Sequence, residues 1–257
     1  MTSPGGLVSR AMVIGFCGSG NMAAAMARGL AGPSRSLLFT DSGSGRAAKL
    51  AAELGGEALA SNGELAERAD VIVLAVKPAR LEAAAAELAA AGVVVSLLGA
   101  TALSRLEAAF PDADVVRVMP NVAVEVRKGV LCVTGSAHAG VRALLQELGH
   151  VVELLDGQFD AATAVMGCAP AYIALAVEAI ADAGAADGLD ADLARELVVE
   201  TTAGTAELLR SNLPAAVREA VASPGGSTEA GLEALDREGA RGAFEAAVRA
   251  SLERMRG

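Results

Sequence analysis

The stretch Met12-Val13-Ile14-Gly15-Phe16-Cys17-Gly18-Ser19-Gly20-Asn21-Met22-Ala23 decides how the first half of this chain folds. Its apolar start reads as a strand, and the glycines punctuate a turn into a helix. Within it, Gly18-x-Gly20-x-x-Ala23 has the spacing of a dinucleotide-binding turn. Gly18 permits the tight turn, Gly20 lets a pyrophosphate approach the backbone, and Ala23 keeps the helix close to the sheet. The acidic Asp41 follows about twenty residues later, which strengthens an otherwise weak motif.

Outward from this turn, short apolar runs alternate with helix-like stretches. Strands are expected at 12–16, 37–40, 58–60, 71–75, 93–97, 115–119, 130–133 and 151–154, and helices at 22–31, 44–54, 62–68, 80–91, 103–110 and 141–148. Such alternation predicts a mostly parallel α/β sheet, doubly wound and covered by helices. After Leu155 the alternation stops and the pattern is helical to the end, with Asp190 as an N-cap and Pro214 in a first turn. The domains expected are a disordered tail at 1–10, a Rossmann-like nucleotide domain at 11–156 and an all-α domain at 157–257. The uncharged run 161–177 reads as a helix buried all round, with a subunit interface as one way to cover it, and is too interrupted by Gly167 and Pro170 to span a membrane.

Composition narrows the partners. A formal charge of −10 argues against nucleic acid or an anionic membrane. The three cysteines, Cys17, Cys132 and Cys168, have neither metal-ligand nor disulfide spacing, so no metal is expected and a reducing, cytoplasmic setting is.

Three further features border the expected cofactor. Ser42, Ser44 and Arg46 follow Asp41 and suit a 2′-phosphate, whereas Asp41 itself suits a 2′-hydroxyl. The balance tilts slightly to NADP(H) over NAD(H). Ala75-Val76-Lys77-Pro78 leaves the fourth strand where open sheets bind ligands, and Met119-Pro120-Asn121 leaves the sixth. Near the C-terminus, Ser223-Pro224-Gly225-Gly226-Ser227-Thr228 opens a helix, a place where backbone N–H groups and the helix dipole favour an anion. From Val151 onward there is no Lys and no His, so a substrate held there must meet backbone and hydroxyl groups.

The ordered set Gly18–Ala23, Asn62, Ala75–Pro78, Arg117–Asn121, Ala169-Pro170-Ala171-Tyr172 and Ser223–Thr228 resembles the pyrroline-5-carboxylate reductases, across almost the whole chain. The resemblance implies NAD(P)H-dependent reduction of a cyclic imino acid, 1-pyrroline-5-carboxylate, to proline. It also implies a C-terminal dimerisation domain, a homodimer that can build a larger ring, and active sites between one subunit's nucleotide domain and its partner's helices. By motif, Thr228 matches the threonine near the imine, and Gly225, Gly226, Ser227 and Thr228 the carboxylate cradle. Gly18, Ser19, Gly20, Asn21, Met22, Ser42, Asn62, Ala75, Lys77 and Asn121 match the cofactor side. The sequence departs from the family pattern at Val122-Ala123, at Cys168 and around Gly99-Ala100. These changes keep a related cyclic imine open as substrate, and a non-catalytic dinucleotide-binding protein is the alternative from another class.

The residues themselves favour an imine over an alcohol. Hydroxyl–carbonyl redox needs a Lys, His or Tyr to relay the alcohol proton. The helical half offers only Tyr172, which reads as a packed helix residue, and His138 and His150 read as surface positions.

Overall fold

In the computed structural model, residues 11–256 are described; the expected tail at 1–10 lies outside them. The first part contains eight strands: β1 Met12–Cys17, β2 Arg35–Thr40, β3 Glu57–Ala58, β4 Val71–Leu74, β5 Val93–Ser96, β6 Asp114–Pro120, β7 Gly129–Gly135 and β8 Gly149–Glu153. Between them run α1 Asn21–Leu30, α2 Arg46–Leu54, α3 Asn62–Arg68, α4 Leu81–Glu87, α5 Leu103–Ala109 and α6 Ala139–Leu148. All the expected strands and helices form, within a few residues of their expected bounds.

The strands make one sheet in the order β3-β2-β1-β4-β5-β6-β7-β8. Every neighbouring pair is parallel except β6 and β7, which is antiparallel. The antiparallel step needs only a short connection, supplied by a 3-10 turn at Val122–Val126. Both faces are covered. One core cluster includes Phe16, Met26, Leu30, Phe39 and Val118, the other Leu65, Ile72, Leu74, Leu81 and Leu106. Strands buried on both faces explain the unbroken Val/Ile/Leu runs.

Arg117 on β6 fastens the end of this unit. Its side chain is 5% exposed and donates from Nη1 to Asp156 Oδ1 at 2.6 Å, with its guanidinium 4.3 Å from the centroid of the buried Phe159 ring. Asp156 also accepts from the N–H of Leu103, at the start of α5. A buried arginine needs such a counter-charge, since an unpaired one is costly.

The chain then continues through α7 Phe159–Ala162, a π-helical stretch Thr163–Gly167, α8 Ala169–Ala186, α9 Ala191–Leu208, α10 Pro214–Val221, α11 Ser227–Arg237 and α12 Ala240–Arg256. Pro170 explains the break before α8. A proline cannot donate to the carbonyl four residues back and crowds it. That carbonyl belongs to Met166, and it accepts instead from Asn121 Nδ2 at 3.2 Å. Asp190 caps α9 through the N–H groups of Asp192 and Leu193, and Pro214 sits in the first turn of α10. A second compact unit spans Cys168–Arg254.

One expectation for the run at 161–177 is corrected: it is not one continuous helix. Within the single chain α8 is not covered all round, since Ile173, Leu175 and Ile180 are more than half exposed, so of the ways to bury it only a subunit interface is left. By length and composition alone, Asp156–Ala186 is long and apolar enough to cross a membrane, although its proline and glycine interrupt the helical pattern. Tyr172 is tied within its own unit, its hydroxyl 2.6 Å from Ser251 Oγ and donating to Ala247 O at 3.3 Å.

Replacing Asp156 by Ala leaves Arg117 buried without a counter-charge and frees the start of α5. The expected loss is about 3 kcal/mol of stability, visible as a lower urea midpoint. An unchanged midpoint would mean that the pair contributes nothing.

Candidate functional site

The chain order reverses between β1 and β4, which lie side by side although β2 and β3 intervene in sequence. In open α/β sheets a crevice forms at such a switch point, beyond the carboxyl ends of the strands. Here it is a cleft of about 870 Å³, lined by Cys17–Gly20 after β1, Thr40–Ser44 (without Gly43) and Arg46 after β2, Ala60–Gly63 before and within α3, Ala75–Lys77 after β4, and Arg80, Ala84 and Glu87.

Gly18 makes the cleft possible. Its φ is +98°, and a β-carbon there would lie 2.7 Å from the Ala75 carbonyl oxygen. Only glycine accepts both the left-handed backbone and the close approach of the two strand ends. Gly20 differs: it is the N-cap of α1, and a β-carbon on it would meet nothing within 4 Å. That N-terminus has no side-chain cap and no acidic residue in its first turn. Its N–H groups and the positive end of its dipole are thus left for an anion. These features fit the pyrophosphate of a dinucleotide.

Beneath the opening runs a chain of hydrogen bonds. Ser19 is buried and donates from Oγ to Thr40 O at 3.0 Å. Thr40 Oγ1 donates to Asn62 Oδ1 at 2.6 Å, and Cys17 Sγ to the same oxygen at 3.4 Å. Asn62 Nδ2 then donates to Glu87 Oε2 at 2.5 Å. Burial pushes the Cys17 thiol up to about 11, against the smaller opposing effect of its Thr40 contact.

Asp41 is used by its own loop. Its two oxygens accept from the N–H groups of Gly43, Ser44 and Ala47 and from Ser44 Oγ. Those bonds, the Ala47 N–H first, hold its carboxyl below the usual range. Ser42, Ser44 and Arg46 stand exposed beside it.

The structure therefore gathers Gly18, Ser19, Gly20, Ser42, Asn62, Ala75 and Lys77 around one cleft. Asn21 and Met22 form the first turn of α1 but do not line it, and Met22 packs against the sheet core. Asn121 is also outside the cleft. It is buried, its Oδ1 accepts from Val130 N and its Nδ2 holds Met166 O, so its amide braces the exit of β6. Thr40 and Glu87 are cleft residues that sequence reasoning passed over. Thr40 carried a faint signal, a hydroxyl closing an apolar strand; Glu87 carried none, because only folding sets it beside Asn62.

In the helical unit, Ser223–Thr228 forms a turn that feeds α11. Gly225 has φ +72° and its N–H donates to Glu229 Oε2 at 2.6 Å; the Gly226 N–H donates to Ser223 O at 2.9 Å. The Ser227 and Thr228 N–H groups begin the helix and have no carbonyl four residues back to bond. Thr228 is exposed. Ala100, where the sequence departs from the family pattern, takes φ +50°, a left-handed position that costs a residue with a β-carbon roughly 1–2 kcal/mol.

A doubly wound sheet with an uncapped glycine turn at its switch point, joined to an all-α unit, defines the class of dinucleotide-binding proteins. Residues 13–100 match the family described as NADP oxidoreductase coenzyme F420-dependent, and residues 156–257 match pyrroline-5-carboxylate reductase dimerisation. The pyrroline-5-carboxylate reductase of Pseudomonas aeruginosa is 34% identical over 258 residues, covering 94% of each chain. That of Synechocystis sp. is 38% identical over 204 residues, covering 75% of this chain and 76% of its own. The crystal structure of the Plasmodium falciparum enzyme with NADP bound superposes with a TM-score of 0.84, at 26% identity, covering 96% of this chain and 97% of its own. The chain belongs to the pyrroline-5-carboxylate reductase family. Its match to a dimerisation domain accounts for the apolar surface that α8 leaves exposed: the helices are built for self-association.

Replacing Gly20 by Leu should leave the fold intact, since the position is open, but block dinucleotide binding. Titration of NADPH fluorescence should show at least a hundredfold loss of affinity, and retained affinity would remove the α1 N-terminus from the site. The raised Cys17 thiol predicts a second outcome. At pH 8 it stays protonated, so brief iodoacetamide treatment of native protein should leave Cys17 unmodified in a peptide mass map. Rapid labelling there would contradict its burial.

Proposed function

We propose that this chain reduces the C=N bond of 1-pyrroline-5-carboxylate to give L-proline, with NAD(P)H held in the cleft between β1, β2 and β4. The observation that carries the reading is the pairing, in one chain, of an uncapped glycine turn at the sheet switch point with a Ser-Pro-Gly-Gly-Ser-Thr helix start.

When bound, the dinucleotide supplies the hydride. The chain's own residues position and polarise. Gly18, Ser19 and Gly20, with the backbone of Asn21 and Met22, receive the pyrophosphate, and Asn62, Ala75 and Lys77 border the rest of the cofactor. Asn121 serves from behind, bracing the segment after β6. In the helical unit the Ser227 and Thr228 N–H groups, at the positive end of α11, bind the substrate carboxylate. Gly225 and Gly226 shape that turn, because their N–H groups bond Glu229 and Ser223. The Thr228 hydroxyl hydrogen-bonds the imine nitrogen. With the imine nitrogen already protonated, hydride addition to carbon gives the neutral amine, which keeps that proton, so no strong base is required. An alcohol substrate would need a relay group, and the Tyr172 hydroxyl is already held by Ser251 and Ala247.

NADPH is slightly favoured over NADH. Asp41 has given both oxygens to its loop, one of them to the Ser44 hydroxyl, which leaves Ser42 and Arg46 to face a 2′-phosphate. We further propose a nucleotide domain at 11–156 and a helical domain at 157–257 that forms a homodimer and builds a larger ring, working in the cytoplasm.

Replacing Thr228 by Ala should lower kcat/KM about 10- to 100-fold, the loss of one hydrogen bond to a charged group, with NADPH affinity unchanged. The assay follows NADPH absorbance with the five-membered imino acid and a six-membered analogue in parallel. Equal rates in wild type and variant would remove Thr228 from the mechanism. Turnover of the six-membered ring alone would change the substrate.

A further inference from the structure

Two carboxylates line the nucleotide cleft, Asp41 and Glu87. In dinucleotide-binding sheets an acid just beyond the second strand reads the adenosine ribose hydroxyls. Asp41 occupies that place in sequence. Its two oxygens are already bonded to four donors of its own loop, so it offers a ribose little.

Glu87 is the other acid, and it arrives from a different element. It is the last residue of α4 and is solvent-exposed. Only its Oε2 is engaged, by Asn62 Nδ2 at 2.5 Å; Oε1 has no hydrogen-bond partner among the described residues. The Asn62 amide is held the right way round for this contact. Its oxygen takes the Thr40 hydroxyl and the Cys17 thiol from below, which turns its NH₂ toward Glu87. Thr40 is the last residue of β2. Two hydrogen bonds thus link Glu87, through Asn62, to Thr40 at the end of β2, and both acids line the one cleft.

We propose that Glu87 is the specificity-determining acid for the adenosine ribose, in place of Asp41. Its free oxygen accepts from a ribose hydroxyl, and its negative charge opposes a 2′-phosphate. Arg46, Lys77 and Arg80 on the same cleft attract that phosphate. Coenzyme choice is then a balance between these cations and one carboxylate, which keeps any NADPH preference small. The inference rests on the reading that the cleft holds NAD(P)H, and not on which imine is reduced.

Replacing Glu87 by Gln tests it. Glutamine keeps an acceptor for Asn62 and removes the charge. Binding of NADH and NADPH to the purified full chain is measured by fluorescence without imine, and kcat/KM for each coenzyme is measured with it. The ratio of NADPH to NADH affinity should rise about tenfold in E87Q, through tighter NADPH binding, weaker NADH binding or both. R46A should move the same ratio in the opposite direction. A ratio within twofold of wild type in E87Q, or an equal loss for both coenzymes, would overturn the proposal and leave Glu87 a structural partner of Asn62. A shifted binding ratio in a chain that turns over no imine would uphold Glu87 and sink the reductase reading instead.

Discussion

The fold of the nucleotide unit turns on the space between Gly18 and Ala75. Parallel strands β1 and β4 are neighbours, and the chain leaves both at the same edge. The exit from β1 must therefore pass within touching distance of the β4 carbonyls. A β-carbon at residue 18 would lie 2.7 Å from Ala75 O, and the backbone there has φ +98°. Either constraint alone favours glycine, and together they admit nothing else. The same turn releases α1 with a glycine cap, so the need to clear β4 also produces an anion site.

Around this turn the cleft is stiffened by polar groups that bond one another. Ser19, Thr40, Asn62 and Glu87 form a continuous line from the buried edge of the sheet to solvent. Asp41 organises the loop after β2 in the same way, by accepting from backbone groups. At the far end of the sheet Arg117, Asp156 and Phe159 lock β6 to the residues that follow β8. The Ser19–Glu87 line satisfies its polar atoms by pairing them, which lets the cleft stay open without loosening its walls.

The helical unit follows a different logic. Much of its apolar surface faces outward in the single chain, with Ile173, Leu175, Ile180 and Leu197 at least half exposed. A helix rich in alanine cannot bury enough on its own and gains stability by packing against a second copy. This explains how the run at 161–177 can read as buried in sequence and yet be exposed here.

The strand–helix alternation, the Gly18-x-Gly20 spacing, the Asp190 cap and the Ser223–Thr228 turn were legible in the sequence. Each depends on local backbone chemistry: periodicity, glycine conformations and caps act over a few residues. The lack of Lys and His after Val151 likewise narrowed the relay groups in that half to Tyr172 by composition alone; that its hydroxyl is held by Ser251 and Ala247 is a matter of tertiary structure. Tertiary structure decided which polar groups remain free. Asp41 looked available and is bonded four times; Asn121 looked like a cofactor contact and braces Met166; Glu87 carried no signal in the sequence and stands in the cleft. Hydrogen bonds between residues 25 or 45 positions apart depend on where strands and helices meet, and no local pattern along the chain encodes that.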